Sequence, residues 1–424
     1  MKSLYLSLIF IYSFTHLNAQ WSKIHESEQG SVGVIHSLSG EEVWFANQFQ
    51  TSLTKIEDAN VHVTSFDNFG FLSDLQFLNQ DVGYLSGGCY FVTEDCPSTT
   101  LYKTTDGGEN WENLLSNVFT SGVFQYISLP SENDIYILAD AYGLLHSSDA
   151  GENWEEVNLP SEYSPNSFIA AQFLTHEIGF IVFIDGYEIT PDGYVWNNVI
   201  LSTEDGGENW EKISEMPLID NEIFDMSFYS PEIGYLILRD NVLYKTENGG
   251  ISWEEYTVGS DQETILSFEL VNNEVAYLST SDSEEFRSRI YKTENGGQSW
   301  TIDASFENTF VEQLHFIDEE NGFAGVGNEL YQRMGTTNTA EPALLDFEVF
   351  PNPSSDGITI QLEDISSLPM SLIVRNQLGQ VVMEKQLFDS NTSISIPHFP
   401  TSVYYLEIRD EDGSSLGIEK LIKK

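Results

Sequence analysis

The sequence is poor in basic residues, in cysteine and in long apolar segments. It has 17 Lys and Arg residues against 67 Asp and Glu residues, which gives a formal net charge of -50. Residues 20–343 hold 10 basic and 55 acidic residues, a net of -45, so the acidity belongs to the first large part of the chain. Such a surface repels a phosphate backbone and excludes nucleic acid as a partner. The acidity favours solubility outside the cell, and it also favours cationic or basic partners.

Beyond the N-terminus no apolar run approaches the length of a membrane span. The run Leu4–Phe14 follows Lys2 and is too short to cross a bilayer. The small residue Ala19 precedes Gln20 at a place typical of signal-peptide cleavage. We therefore predict a signal peptide over residues 1–19, a mature chain from Gln20 and no transmembrane segment.

Cysteine is represented only by Cys89 and Cys96, which stand seven residues apart. In an exported protein, two cysteines within one loop predict a local disulfide. The alternative is a pair of free thiols. A metal site made of two cysteines alone is not predicted, because structural zinc sites use four ligands.

One short motif, Ser/Thr-x-Asp/Asn-x-Gly-x-x-Trp, occurs five times, and its tryptophans are spaced by 43, 56, 43 and 47 residues. The pattern is typical of a hairpin turn: the Asp or Asn accepts backbone hydrogen bonds, the glycine adopts a positive φ, and the tryptophan supplies a large buried face. These are structural roles, and no motif residue is predicted to be catalytic. The Asp or Asn and the Trp of the five copies are Asp106 and Trp111, Asp149 and Trp154, Asp205 and Trp210, Asn248 and Trp253, and Asn295 and Trp300.

Each motif belongs to a longer unit of four predicted strands. Upstream of the motif, segments such as Asp74–Leu78 and Gly83–Leu85 alternate apolar and polar residues and predict two further strands. Four short strands in this repeat length are typical of one propeller blade. Two degenerate units, around Leu53 and Tyr331, bring the prediction to seven blades, with six or eight as alternatives.

The last of these units lacks a fourth strand. At the other end of the chain, Trp21-Ser22-Lys23-Ile24 resembles the strand that follows a motif, such as Trp210–Ile213. We therefore predict that the N-terminal strand completes the last blade. That pairing would close the ring and remove an open sheet edge.

The five motifs resemble the Asp-box, or BNR, repeat of sialidases, sortilin-type receptors, some glucanases and propellers like the photosystem II assembly factor. The unit looks most like the last of these groups and the sortilin group. The resemblance implies an all-β propeller domain, which we place at residues 20–334. It implies no particular activity, because these relatives bind or cleave unrelated molecules.

A second resemblance covers the last part of the chain. The order and spacing of its segments are similar to those of the sorting domain of the type IX secretion system of Bacteroidota, although Ser402-Val403 stands where that family usually has a glycine before the tyrosine. The resemblance implies recognition by the type IX secretion machinery, export, and then release or attachment to the cell surface. The segments are Phe347–Pro353, Val374–Gln380, Val403–Ile408 and Lys420–Lys424.

From the residues alone, 344–424 is predicted to be a small antiparallel β domain, an Ig-like β-sandwich, after a linker at 335–343. An adhesive β-sandwich module is the alternative.

Three insertions fall between the second and third strands of their units, on the face opposite the motif turns. They cover residues 87–99, 185–198 and 280–289. Insertions concentrated on one face are typical of a binding surface, and exposed aromatic or arginine side chains suit contacts with sugars or peptides. The alternative is that these side chains pack their own loops. The candidate ligand-binding residues are Tyr90, Phe91, Tyr187, Tyr194, Trp196, Phe286, Arg287 and Arg289.

Signatures of catalysis are scarce. The predicted propeller has four arginines and no Arg-Ile-Pro segment in its first blade, which argues against a sialidase. No metal-binding histidine spacing, nucleophile elbow or phosphate loop is present. We predict no catalytic residue, metal or cofactor. Calcium at an acidic turn stays open, without an EF-hand or a glycine-aspartate nonapeptide to support it.

The sequence therefore favours a binding protein over an enzyme. We predict a secreted or cell-surface propeller that binds an extracellular glycan or protein. Two alternatives stay open: a surface glycoside hydrolase or lyase, and an assembly or structural factor for other exported proteins.

Overall fold

The computed structural model describes residues 20–424 except 29, 49, 59, 67–70, 90–99, 116–121, 140–142, 164, 166, 192, 220–222, 336–346, 363–369, 377–380, 388 and 410–414. The predicted signal peptide, most of the predicted linker, and Cys96 lie outside the described residues, so the predicted disulfide stays a prediction. In the part of the chain described, no helix is long and apolar enough to span a membrane.

The described elements are all β-strands, as predicted. Strands β1 to β28 cover the predicted propeller. They are β1 Gln20–Glu26, β2 Val32–Ser39, β3 Glu42–Asn47, β4 Ser52–Glu57, β5 Asn60–Ser65, β6 Phe71–Phe77, β7 Gly83–Cys89, β8 Thr100–Thr104, β9 Glu112–Asn113, β10 Gly122–Ser128, β11 Ile135–Ala139, β12 Gly143–Ser147, β13 Glu155–Val157, β14 Ser167–Phe173, β15 Gly179–Thr190, β16 Gly193–Thr203, β17 Glu211–Ile219, β18 Ile223–Phe228, β19 Gly234–Leu238, β20 Val242–Thr246, β21 Glu254–Thr257, β22 Glu263–Leu270, β23 Ala276–Asp282, β24 Arg287–Thr293, β25 Thr301–Glu307, β26 Val311–Phe316, β27 Gly322–Val326 and β28 Glu329–Met334.

These strands form antiparallel four-stranded units, numbered here in chain order. Units 1 to 6 are β2–β5, β6–β9, β10–β13, β14–β17, β18–β21 and β22–β25, and unit 7 combines β26–β28 with β1. Units 2 and 3 are joined by a short pairing of β10 with β7. The first strand of each unit contacts the first strand of the next, and β26 contacts β2. The units therefore surround a central channel, which is the predicted propeller architecture.

The N-terminal strand closes this ring as predicted. Strand β1 pairs with β28, with Trp21 opposite Arg333 and Lys23 opposite Tyr331. The Trp21 ring packs edge-on against Phe316 at 6.0 Å and 84°. The motif tryptophan Trp253 packs in the same way against Phe228, at 6.2 Å and 80°. Trp21 therefore occupies the place of a motif tryptophan in unit 7.

The motif turns have the geometry that their residues predict. In unit 2 the Thr104 hydroxyl accepts a hydrogen bond from the Gly108 N–H at 2.8 Å and donates one to Asp106 at 2.9 Å. The Asp106 carboxylate accepts the backbone and side-chain N–H groups of Asn110 at 2.9 and 2.7 Å. Gly108 has φ +80°, and a Cβ there would collide with the Trp44 ring of the preceding unit. Only glycine combines this conformation with so close an approach.

Burial is greatest in the second strand of each unit. Strands β11, β19 and β27 are buried at every residue, because a neighbouring unit covers each face of their sheets. Their continuous apolar sequences, such as Ile135–Ala139, follow from this double burial. The outer strands, such as β21 with its exposed glutamates, carry the acidic surface.

The C-terminal residues form two further antiparallel sheets. One has the order β29-β30-β33 and the other β32-β31-β34-β35, and a common apolar core that includes Ile360, Leu372 and Leu406 joins them. Two sheets on one core are the predicted small β-sandwich. The strands are β29 Phe347–Phe350, β30 Gly357–Leu362, β31 Met370–Asn376, β32 Val381–Leu387, β33 Asn391–Ser395, β34 Val403–Arg409 and β35 Ser415–Ile422.

Candidate binding surface

The insertion of unit 4 is an extension of the blade rather than a loop. Strands β15 and β16 continue past the sheet as an antiparallel hairpin, residues 185–198, called here the unit-4 hairpin. Its register places Tyr187 opposite Trp196 and Ile189 opposite Tyr194. Because side chains alternate along a strand, these four residues share one face of the hairpin. We call them the aromatic face.

Three predicted site residues thus come together on one surface. Their ring centroids are 5.7 Å apart for Tyr187 and Tyr194, 5.2 Å for Tyr187 and Trp196, and 6.0 Å for Tyr194 and Trp196. Tyr187, Ile189 and Tyr194 remain 51%, 72% and 48% exposed, while Trp196 is half-buried. A contiguous exposed apolar group of this kind is typical of an interaction surface.

A register shift in β15 and a buried asparagine in β16 fix the base of the unit-4 hairpin. The register of β15 shifts between Ile184 and Tyr187, where Gly186 adopts φ +103°. On the facing strand Asn198 is fully buried, and its side-chain amide donates to the carbonyls of Trp196 at 3.2 Å and Met216 at 3.1 Å. The second bond ties β16 to β17, whose own extension pairs Leu218 with Trp196. Asn198 therefore holds the strand that carries two of the aromatic side chains.

Replacing Asn198 with alanine is expected to loosen the hairpin and to lower the free energy of unfolding by about 1–2 kcal/mol, because two buried hydrogen bonds are lost. The Asn198 Oδ1 atom has no partner among the described residues, so the loss should lie toward the lower end. Hydrogen exchange of the amides in 186–197 should rise well above that of residues 179–184, the buried part of β15. Asn197→Ala, on the opposite face, is the control, and equal exchange in both variants would contradict this role of Asn198.

The other predicted site residues lie elsewhere. Tyr90 and Phe91 are outside the described residues. Phe286 is exposed at the tip of the hairpin formed by β23 and β24, called here the unit-6 hairpin, with its ring 6.5 Å from that of Phe310. Arg287 and Arg289 follow in β24 of unit 6. The structure therefore does not join these residues to the aromatic face.

Both arginines of unit 6 are paired with acidic side chains. Arg289 bonds to the buried carboxylate of Glu263, which also accepts the hydroxyl groups of Thr280 at 2.5 Å and Tyr291 at 3.1 Å. Arg287 is bonded to Glu285. Burial raises the pKa of Tyr291, and the nearby Glu263 carboxylate adds to the shift. These contacts stabilise the unit-6 hairpin, and they occupy groups that the sequence marked as ligand-binding candidates.

The first strands of the units carry a layer of polar residues that the sequence alone did not single out, and four of them, Gln76, Gln172, Ser227 and Glu269, line the central channel. In every unit, the first-strand residue opposite the bulky aromatic residue of the second strand is polar. The sequence carries a signal for this layer, because one polar residue recurs at the same position of each otherwise apolar first strand. In chain order the seven residues are His36, Gln76, Ser128, Gln172, Ser227, Glu269 and His315.

Many of these side chains bond to the next unit. Ser128 accepts the Phe173 N–H at 2.8 Å, and Gln172 accepts the Phe228 N–H at 2.7 Å. Glu269 accepts a backbone hydrogen bond from Phe316. The shared role of this layer is therefore to join neighbouring first strands where no sheet pairing exists.

The channel, with a volume of about 900 Å³, is also lined by Asp74, Asp225 and Arg239. Burial raises the pKa of Asp74 to about 6, of Asp225 to about 7 and of Glu269 to about 8. Backbone N–H groups oppose each shift, and repulsion from Asp74 adds to that of Asp225. Glu269 keeps 28% of its side chain accessible, so the shift reflects a narrow channel surrounded by protein rather than a dry core. Within the described residues, no three His, Cys, Asp or Glu side chains are placed to hold a metal ion.

Four-stranded units around a channel, followed by a two-sheet β domain, define a β-propeller protein with an appended sandwich. Residues 348–424 match the family described as secretion system C-terminal sorting domain, and residues 53–173 match the family of the photosynthesis system II assembly factor YCF48. Both resemblances drawn from the sequence are confirmed. The sorting domain indicates that the protein is exported to the extracellular space or the cell surface. No curated protein sequence matches the chain.

Solved structures agree on the fold. YCF48 from Cyanidioschyzon merolae is 15% identical, with a TM-score of 0.55 over 74% of this chain and 98% of its own. The GH74 xyloglucanase from Xanthomonas campestris is 14% identical, with a TM-score of 0.54 over 93% of this chain and 66% of its own. A GH74 enzyme from Niastella koreensis is 13% identical, with a TM-score of 0.54 over 95% and 74%. At such identities the similarity shows the fold alone.

Proposed function

We propose that the protein is an exported binding module that contacts an extracellular protein or glycan through the aromatic face of the unit-4 hairpin. The C-terminal residues 344–424 serve its delivery by engaging the type IX secretion machinery. The observation that carries the proposal is the clustering of Tyr187, Tyr194 and Trp196 beside exposed Ile189 on one protruding surface. Tyrosine and tryptophan at such places contribute most to binding energy.

Binding of the full chain to arrays of glycans and cell-surface proteins tests this proposal. Changing Tyr187, Tyr194 and Trp196 together to serine should weaken any hit at least about tenfold, a loss of 1.4 kcal/mol. Ile251→Ser is a matched control, because Ile251 is 76% exposed at a motif turn on the opposite face. Hits that the triple variant retains would place the site elsewhere.

A glycoside hydrolase is the second candidate, and the channel carboxylates favour it. Asp225 and Glu269 have raised pKa values, as a general acid requires. It ranks second because Glu269 already accepts the Phe316 N–H, and Asp74 accepts that of Ile127 at 2.8 Å. Hydrolysis of a soluble polysaccharide that Asp225→Asn abolishes would put this candidate first.

A further inference from the structure

We infer that the aromatic face takes a polypeptide whose contact patch is apolar at its centre and flanked by lysine or arginine. The inference rests on the proposed function and narrows it to one class of partner. It is carried by the shape of the face, by its chemistry, and by the charge of the hairpin around it.

The shape of the face suits side chains better than sugar rings. The rings of Tyr194 and Trp196 are nearly parallel, at 17°, but Tyr187 is tilted by 53° and 51° to them. The three rings therefore do not form one flat platform on which successive pyranose rings could stack. They form a faceted surface, and facets of this kind pack against branched aliphatic and aromatic side chains.

The side-chain composition of the aromatic face also favours a polypeptide over a sugar. Ile189 is its most exposed member at 72%, and it offers neither a stacking face nor a hydrogen bond. A sugar presents hydroxyl groups that need polar partners when they leave water. The centre of a protein interface, by contrast, is rich in Tyr, Trp and aliphatic residues and poor in charge. An aliphatic residue beside three aromatic ones matches that composition.

The negative charge of the surrounding residues predicts basic side chains at the edges of the partner's contact patch. Residues 185–198 include three acidic residues, Asp185, Glu188 and Asp192, and no lysine or arginine. Glu188 is exposed, and its side chain leaves the strand on the face opposite Tyr187 and Ile189. The aromatic face itself therefore carries no charge, while residues 20–343, of which it is part, have a net charge of -45. A basic flank on the partner would complement this acidic surface and speed the encounter in a salt-dependent manner.

The size of the face sets the expected strength. Three large aromatic side chains bury roughly 150–250 Å² each when fully covered, and only about half of that area is still exposed here, so with Ile189 the face would bury about 300–500 Å² on binding. That is the low end of specific interfaces, typical of transient complexes. We therefore expect micromolar rather than nanomolar binding by a single segment.

Selection of a displayed library of random peptides on the full chain tests the inference. The triple serine variant of Tyr187, Tyr194 and Trp196 serves for counter-selection, and Ile251→Ser is carried through as a folded control. Enriched peptides should combine aromatic or aliphatic residues with lysine or arginine. They should bind the wild-type chain at least about tenfold more tightly than the triple variant. Their affinity should fall severalfold between about 50 and about 300 mM salt.

The outcomes separate the inference from the function it rests on. No hairpin-dependent peptides, or enriched peptides that are acidic or insensitive to salt, would overturn the inference. If a glycan panel then yields ligands that the triple variant fails to bind, the aromatic face is still a binding surface and only the partner class is wrong. If neither panel yields a hairpin-dependent ligand, the proposed function falls as well.

Discussion

The Asp303→Ala variant is expected to lose about 3–5 kcal/mol of the free energy of unfolding, because it breaks a buried ion pair at the ring closure. Asp303 accepts hydrogen bonds from Arg333 at 3.0 and 3.1 Å and from the Trp21 indole at 2.7 Å. The Arg333 side chain is only 3% exposed, and that of Asp303 is 10% exposed. Alanine would leave the half-buried indole N–H without this acceptor, and the buried guanidinium would keep Glu320, at 3.2 Å, as its remaining carboxylate partner. The urea midpoint, followed by tryptophan fluorescence, should fall clearly.

Lys23→Ala provides the control within the same closing strand. Lys23 pairs with Glu26 and Glu329 at the surface, and its side chain is 43% exposed. Exposed ion pairs contribute little to stability, because water and salt screen them, so this variant should unfold near the wild-type midpoint. If Asp303→Ala shifts the midpoint no further than Lys23→Ala does, the closure is not held by this buried contact.

Asp225 and Glu269 are expected to contribute less to stability as the pH rises from about 5 to about 8, because these channel carboxylates resist ionisation. Burial raises the pKa of Asp225 to about 7 from 3.8 and that of Glu269 to about 8 from 4.5. The folded protein therefore holds these two protons in a range where the unfolded chain has released them. Their contribution is fully present below pH 4 and is lost as the pH passes through the folded pKa values. For two buried groups the loss is on the order of a few kcal/mol.

Melting temperatures of the wild type and of Asp225→Asn/Glu269→Gln across this pH range provide the measurement. The amides keep the shape and accept the same backbone N–H groups, so the double variant should melt higher than the wild type at pH 8 and similarly at pH 5. Asp106→Asn is an opposite control. Side-chain and backbone bonds from Asn110 lower the pKa of Asp106, so its contribution is lost only as the pH falls below about 4. Parallel wild-type and double-variant curves would show that the channel is open enough to hydrate both carboxylates.

The repeat was predictable because its information is local. The Asp or Asn, the Gly and the Trp of each motif stand within eight residues, and the turn they form needs no distant contact. The place of Trp21 was predictable for the same reason, since it copies the residues that follow a motif. The spacing of 43 to 56 residues between motif tryptophans then indicates one four-stranded blade for each turn.

The candidate surface was predictable only in part. The sequence located the unit-4 insertion as a loop, while the structure shows paired strands that put Tyr187 and Trp196 on one face. The partner of Arg289 is Glu263, 26 residues away on another strand, and no local pattern indicates that contact. The polar layer of the first strands joins neighbouring units. Its recurrence in the sequence could be recognised only once the first strands of the seven units were aligned with one another.

The closing strand also decides how the propeller responds to mechanical load. Any pull that reaches it along residues 335–343 enters the fold at Met334, the last residue of β28. Because β1 pairs with one edge of β28 and β27 with the other, the tether is attached to an internal strand held by hydrogen bonds on both sides. Without β1 the same force would act on an edge strand, whose hydrogen bonds to β27 would break one after another. A surface protein tethered through its C-terminal end would thus gain resistance to shear from the seven residues of β1, Gln20–Glu26.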